Sequence, residues 1–130
     1  MGHNLIRKIM LVDDDKINNL INQKMLARYE SQLSISVYDA AEDALEAILG
    51  DTDQPDLVLL DINMPVMSGW ELLDKLIAQN KTNFLVVMLT SSIDSKDVNK
   101  TSQYAMVKGY MVKPLNNEKI VDILTRMIVE

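Results

Sequence analysis

Five short, nearly unbroken apolar runs, at residues 9–12, 33–38, 57–60, 84–89 and 109–112, alternate with longer stretches whose apolar residues recur at helical spacing. Strands and helices alternating in one chain call for repeated βαβ crossovers, which are right-handed and leave a parallel sheet covered on both faces. Unbroken apolar runs fit that burial, because a half-exposed strand would alternate apolar and polar residues. The expected class is therefore α/β and doubly wound. In open sheets of this kind ligands sit beyond the carboxyl ends of the strands, where the strand order reverses. Function is carried by the residues just after each strand.

Four of the helical stretches read as amphipathic. Ile17, Leu20, Ile21 and Met25 put an apolar stripe on the first, with Asn18, Asn19, Asn22 and Gln23 on its outer face. Ala41, Ala44, Leu45 and Ile48 do so on the second, and Leu72, Leu73, Leu76 and Ile77 on the third. Ile120, Ile123, Leu124, Met127 and Ile128 mark the fifth. The fourth, about residues 94–104, has little apolar stripe, so its hold on the sheet should be weak and it is a candidate moving element.

Composition removes several function classes. There is no Cys and the only His is His3, which excludes a disulfide scaffold, a thiolate nucleophile, a Cys-based zinc site and His-dependent triads. The net charge of −6, from 13 Lys and Arg against 19 Asp and Glu, argues against direct binding to DNA or RNA. The apolar runs fall far short of the ~20 residues a membrane helix needs, and the start of the chain has too short an apolar core for a signal peptide. The expectation is one cytoplasmic domain over residues 1–130, with residues 1–6 an N-terminal segment outside the ordered fold and no output domain.

At the strand ends stand Asp13, Asp14 and Asp15 after the first, Asp61 after the third, Thr90 and Ser91 at the fourth, and Lys113 with Pro114 after the fifth. Each has an ordinary reading alone. Asp15 fits a helix N-cap, Asp61 a turn, Lys113 a solvated lysine, and the hydroxyls strand-end caps. Together at one sheet edge they form a crowd of carboxylates that must be compensated by protons or by a cation. Mg²⁺, or Mn²⁺, suits all-oxygen donors and binds through one or two carboxylates together with phosphate oxygens.

In this order the residues closely resemble the receiver domain of two-component response regulators, in its stand-alone, chemotaxis-regulator-like form. The resemblance rests on Ile9-Met10-Leu11-Val12-Asp13-Asp14, Leu59-Leu60-Asp61-Ile62-Asn63-Met64-Pro65 with Gly69, Leu89-Thr90-Ser91, and Gly109-Tyr110-Met111-Val112-Lys113-Pro114. It implies a flavodoxin-like (βα)5 fold with strand order 2-1-3-4-5. It implies that Asp61 accepts a phosphoryl group from a phosphohistidine on a sensor histidine kinase or phosphotransfer protein. Asp13, Asp14, Asp61 and the backbone carbonyl of Asn63 would arrange the metal, and Thr90 and Lys113 would bind phosphoryl oxygens. Thr90 and Tyr110 would form the switch, Asn63 and Ser92 would tune loss of the phosphoryl group, and Lys113-Pro114 would be cis. An unknown protein target would dock on the face of the fourth helix, fifth strand and fifth helix. Gly69 is expected to ease the start of the third helix; Trp70 has no evident role.

Two rival readings exist. A phosphatase of the haloacid dehalogenase type also uses an Asp after a strand with Mg²⁺, but needs a second Asp two residues on, where this chain has Asn63. A nucleotide or flavin module needs a Gly-rich or hydroxyl-rich loop after the first strand, where three Asp residues would repel phosphate.

Overall fold

A computed structural model of the chain describes residues 6–91 and 93–127, with side chains as far as Thr125. In chain order the elements are β1 (Lys8–Val12), α1 (Lys16–Tyr29), β2 (Ser34–Tyr38), α2 (Ala41–Leu49), β3 (Leu57–Asp61), α3 (Gly69–Ala78), β4 (Leu85–Thr90), α4 (Ser95–Thr101), β5 (Val107–Val112) and α5 (Asn117–Asp122), which runs into a π-helical turn at Ile123–Met127. Ser92, Ile128, the side chain of Met127 and residues 1–5, His3 among them, lie outside the described residues. Ile6 was expected outside the ordered fold, yet it packs against the core, and the next residue is held by its amide donating to Asp56 Oδ2 at 2.9 Å.

All neighbouring strands pair parallel, in the order β2-β1-β3-β4-β5. The strand order reverses between β1 and β3, and the register sets Val12 beside Leu60, Asp61 beside Leu89, and Thr90 beside Val112. The carboxyl ends of β1, β3, β4 and β5 are thereby level.

Strand periodicity divides the core in two. Met10 and Val12 of β1 join Ala41, Ala44, Leu72, Leu73 and Leu76 of α2 and α3 on one face. Ile9 and Leu11 join Leu26, Leu115, Ile120 and Ile123 on the other. On α3, Ile77 departs from the expected stripe and is exposed, while Leu76 beside it in the chain is buried.

The first helix overturns its expected orientation. Ile17 is 72% exposed and Leu20 and Ile21 are also exposed, while Asn18, Asn19, Asn22 and Leu26 are buried. The buried stripe is thus rotated by one residue, about 100° around the helix. This orientation forgoes roughly 1.5–3 kcal/mol for each large apolar side chain left in water. It is possible because each amide finds at least one partner, although Asn19 Oδ1 has none among the described residues. Asn18 Nδ2 donates to Asp13 Oδ2 at 2.8 Å, Asn19 Nδ2 to the Asp13 carbonyl at 2.7 Å, and Asn22 Oδ1 accepts from the Leu115 amide at 2.9 Å. Buried polar groups with such partners replace apolar packing at modest net expense.

Local chemistry sets the other helix starts. Asp15 caps α1 as expected, accepting from the Asn18 amide at 3.0 Å. Ser68 and Glu71 form a reciprocal capping box on α3. The reason for Gly69 differs from the expected one. A Cβ there would sit 2.4 Å from the Asp61 carbonyl oxygen and 3.2 Å from Leu60 and Met88 side chains. The glycine permits α3 to press against the end of β3, where its amide also donates to the Ile62 carbonyl at 2.8 Å.

The fourth helix matches its expected weakness, since none of its residues is buried. Trp70, without a role in the sequence, is its tether: the indole Nε1 donates to Asp97 Oδ1 at 3.0 Å, and Lys100 Nζ lies 5.5 Å from the ring centroid.

Candidate functional site

The level strand ends bring Asp13, Asp14, Asp61, Thr90 and Lys113 to one crevice at the point of strand reversal. Asp13, Asp61 and Thr90 are buried, Lys113 is half-buried, and Asp14 is exposed at the mouth. Asp13, Asp14 and Asp61 each offer a carboxylate oxygen within 4.8 Å of the other two. Lys113 Nζ donates to Asp13 Oδ2 at 2.9 Å and stands 3.6 Å from Asp61 Oδ1. Asp13 Oδ1 accepts from the Asp15 amide at 2.9 Å, so both oxygens of Asp13 are held.

Burial, together with repulsion from Asp13, pushes the Asp61 carboxyl up to about 7 against the pull of Lys113. Asp14 adds repulsion and a shared hydrogen bond in the same direction. Burial alone would lower Lys113, but its hydrogen bond to Asp13 and its attraction to Asp13 and Asp61 prevail and hold it above the ordinary lysine value. The crevice therefore has more negative charge than one lysine compensates. A hard divalent cation among the three carboxylates fits both the donor set and that imbalance.

The other expected site residues lie around this centre. Asn63 is exposed on the turn after Asp61, and the loop from there to Gly69 is folded back by the Met67 amide donating to the Pro65 carbonyl at 2.8 Å. Met64 and Met67 pack on the core. The Lys113-Pro114 bond is cis, and the Lys113 amide donates to the Thr90 carbonyl at 2.8 Å, tying the ends of β4 and β5 together. Tyr110 is half-buried, and its hydroxyl accepts from the amide of Asp94, the N-cap of α4, at 3.2 Å. The sequence pattern puts Asn18, Asn19 and Asn22 on the outer face of α1 and gives them no part in the site, whereas they face it. Their signal was the i, i+4 spacing of Asn18 and Asn22 immediately after the acidic cluster.

Residues 9–125 match the family described as the response regulator receiver domain. The chain belongs to that family. The receiver is 33% identical over 112 residues to the transcriptional regulatory protein MalR of Bacillus subtilis, covering 85% of this chain and 46% of that protein. It is 27% identical over 126 residues to the chemotaxis protein CheY of Halobacterium salinarum, covering 95% of this chain and 98% of that one. The crystal structure of a two-component response regulator from Cytophaga hutchinsonii superposes with a TM-score of 0.84 at 28% identity, over 96% of this chain and 98% of that one. The chain spans less than half the length of several of its curated relatives, 46% of MalR and 21% of the response regulator ARR10 of Arabidopsis thaliana. This receiver is a domain of two-component signalling with the flavodoxin-like fold, and nothing supports the phosphatase reading. Among the described residues, no helix is long and apolar enough to cross a membrane.

Proposed function

We propose that the receiver takes a phosphoryl group from a phosphohistidine onto Asp61 in a Mg²⁺-dependent reaction that it assists itself, and passes the change to a protein-binding surface. The observation that carries this reading is the placement of Asp61: buried, within 4.8 Å of two further carboxylates, and 3.6 Å from Lys113 Nζ at the point of strand reversal.

An Asp61 carboxylate oxygen forms the O–P bond in line as the donor's N–P bond breaks and the imidazole leaves. Asp61 must be ionised to attack, and a carboxylate meeting a phosphoryl dianion is repelled unless the transferring oxygens are neutralised. Lys113 moves its ammonium from Asp13 towards those oxygens, and the Thr90 hydroxyl binds another. Asp13, Asp14, Asp61 and the Asn63 carbonyl would hold the cation, which supplies charge neutralisation of the phosphoryl oxygens. Incubation with a small phosphodonor should add one phosphoryl group by intact mass, only when a divalent cation is present; addition that is equally fast after chelation contradicts the reading.

The phosphohistidine protein docks on the ridge of Ile17, Leu20 and Ile21. These exposed apolar residues stand on α1, which starts two residues after Asp14, and offer a protein donor an apolar contact on the helix that follows the acidic cluster. Ile17→Lys should leave melting temperature and small-donor phosphorylation unchanged but slow transfer from a phosphohistidine protein at least about tenfold, a loss typical of a central interface contact. Equal transfer from the protein donor would remove this face from the reading.

Output runs through α4 to the face of α4, β5 and α5, on which a target protein docks. A helix with no buried residue has a low free energy of rearrangement, so a small bias shifts its population. Tyr110 under its N-cap and Trp70 against Asp97 couple it to the sheet edge and to α3. Phosphorylation should change amide exchange chiefly in residues 93–110 and alter Trp70 fluorescence. Thr90→Ala should still accept the group on Asp61 while losing most of both changes; a normal response in Thr90→Ala would break this route.

A further inference from the structure

The inward face of α1 is built from amides where an apolar stripe was available one residue away, so the work of those amides lies elsewhere than in core packing. Each is aimed at a strand-end loop of the site. Asn18 Nδ2 donates to Asp13 Oδ2 at 2.8 Å, the same oxygen that Lys113 Nζ reaches at 2.9 Å. Asn19 Nδ2 donates to the Asp13 carbonyl at 2.7 Å, and Asn22 Oδ1 takes the Leu115 amide, two residues beyond Lys113, at 2.9 Å. One rigid helix thus holds both partners of the Asp13–Lys113 pair, Asp13 through its side chain and Lys113 through its loop.

Lys113 cannot serve Asp13 and a phosphoryl group on Asp61 fully at once. Its distances are 2.9 Å to Asp13 and 3.6 Å to Asp61, so it rests on Asp13 before transfer. When it leaves, the amide of Asn18 is the side-chain donor that stays on Asp13 Oδ2 among the described residues. An amide also holds a carboxylate without neutralising it, so Asp13 retains its whole charge for a cation. A lysine or arginine at position 18 would compete with that cation.

We propose that Asn18 is a positioning residue of the phosphoryl-transfer site. It keeps the Asp13 carboxylate in place while Lys113 moves between Asp13 and Asp61, and Asn22 anchors the Lys113 loop to the same helix. This rests on the assignment of Asp13, Asp61 and Lys113 above.

The test is Mg²⁺ titration by calorimetry of the whole chain as wild type, Asn18→Ala, Lys113→Ala and the double variant, with thermal melting of each. Hydrogen-bond partners of metal-ligating groups typically change affinity about 10- to 100-fold. With Lys113 present to hold Oδ2, Asn18→Ala should weaken Mg²⁺ binding only about threefold; in the Lys113→Ala background the same change should weaken it at least about tenfold, at the lower end of that range. Asn18→Leu, which fills similar space without a donor, should repeat both losses while melting no lower than wild type. Equal losses in the two backgrounds, or wild-type affinity in Asn18→Leu, would show that Asn18 only fills space and overturn the proposal. A wild-type chain that binds no Mg²⁺ would instead overturn the reading of the site, and the positioning role with it.

Discussion

Asp61→Asn is expected to take up no phosphoryl group under any donor concentration and, in the absence of metal, to be more stable than wild type at pH 8. The first outcome follows because the amide offers no anionic oxygen to attack phosphorus. The second follows from charge. In the folded, metal-free protein Asp61 gains its proton near pH 7, against 3.8 for an unperturbed carboxyl, because burial and Asp13 disfavour its ionised form. Between those values the folded state holds more protons than the unfolded chain. Stability from this group is therefore greatest at the acid end of the window and is lost as pH rises towards 7. Asn carries no proton to lose, so the decline should flatten. With allowance for screening at the open mouth of the crevice, the gain at pH 8 is on the order of 1–3 kcal/mol. Melting curves from pH 5 to 8 in chelator check it. Saturating Mg²⁺ should narrow the difference, because it stabilises the wild-type carboxylate cluster by mass action. An Asp61→Asn protein that is phosphorylated, or that melts lower than wild type at pH 8, would contradict the account.

Gly69→Ala should be damaging in two ways at once. At the first position of an exposed helix, alanine would ordinarily be favoured over glycine by up to about 1 kcal/mol. Here the added Cβ would stand 2.4 Å from the backbone oxygen of Asp61, a contact that backbone cannot relieve by a side-chain rotation. Either α3 retreats from β3, loosening Leu72, Leu73 and Leu76 from the core, or the end of β3 shifts and carries Asp61 with it. We expect a loss of about 3 kcal/mol, the upper range for overpacking. Displacement of Asp61 by even ~1 Å should slow phosphoryl transfer roughly 100-fold. Calorimetry and single-turnover phosphorylation measure the two separately. Gly50→Ala, where the nearest contact is 3.1 Å from the Glu46 carbonyl oxygen, is the control and should be far milder. A Gly69→Ala protein with wild-type melting and rate would mean the helix and strand are less tightly opposed than they stand here.

Much of this receiver follows from local pattern. Strand runs and helical spacing are decided within a few residues of chain, and parallel order follows from crossovers of limited length, so the sheet was legible. So were Asp13, Asp14, Asp61, Thr90 and Lys113, because each directly follows or ends a strand and the topology then has little freedom in where to put it. Three things were settled only by tertiary contact. The face that α1 turns inward depends on whether its amides meet partners, and those partners, Asp13 and Leu115, belong to other segments; periodicity weighs only hydrophobicity and so chose Ile17 and Leu20. The need for Gly69 comes from the approach of α3 to the Asp61 carbonyl, a distance no spacing rule contains. The role of Trp70 is set by Asp97 and Lys100, 27 and 30 residues away along the chain, which meet it only because α3 and α4 are brought together on the same side of the sheet. A local signal can select an element and place its ends, but a buried polar group acquires its meaning from the residue that satisfies it, and that residue is chosen by the fold.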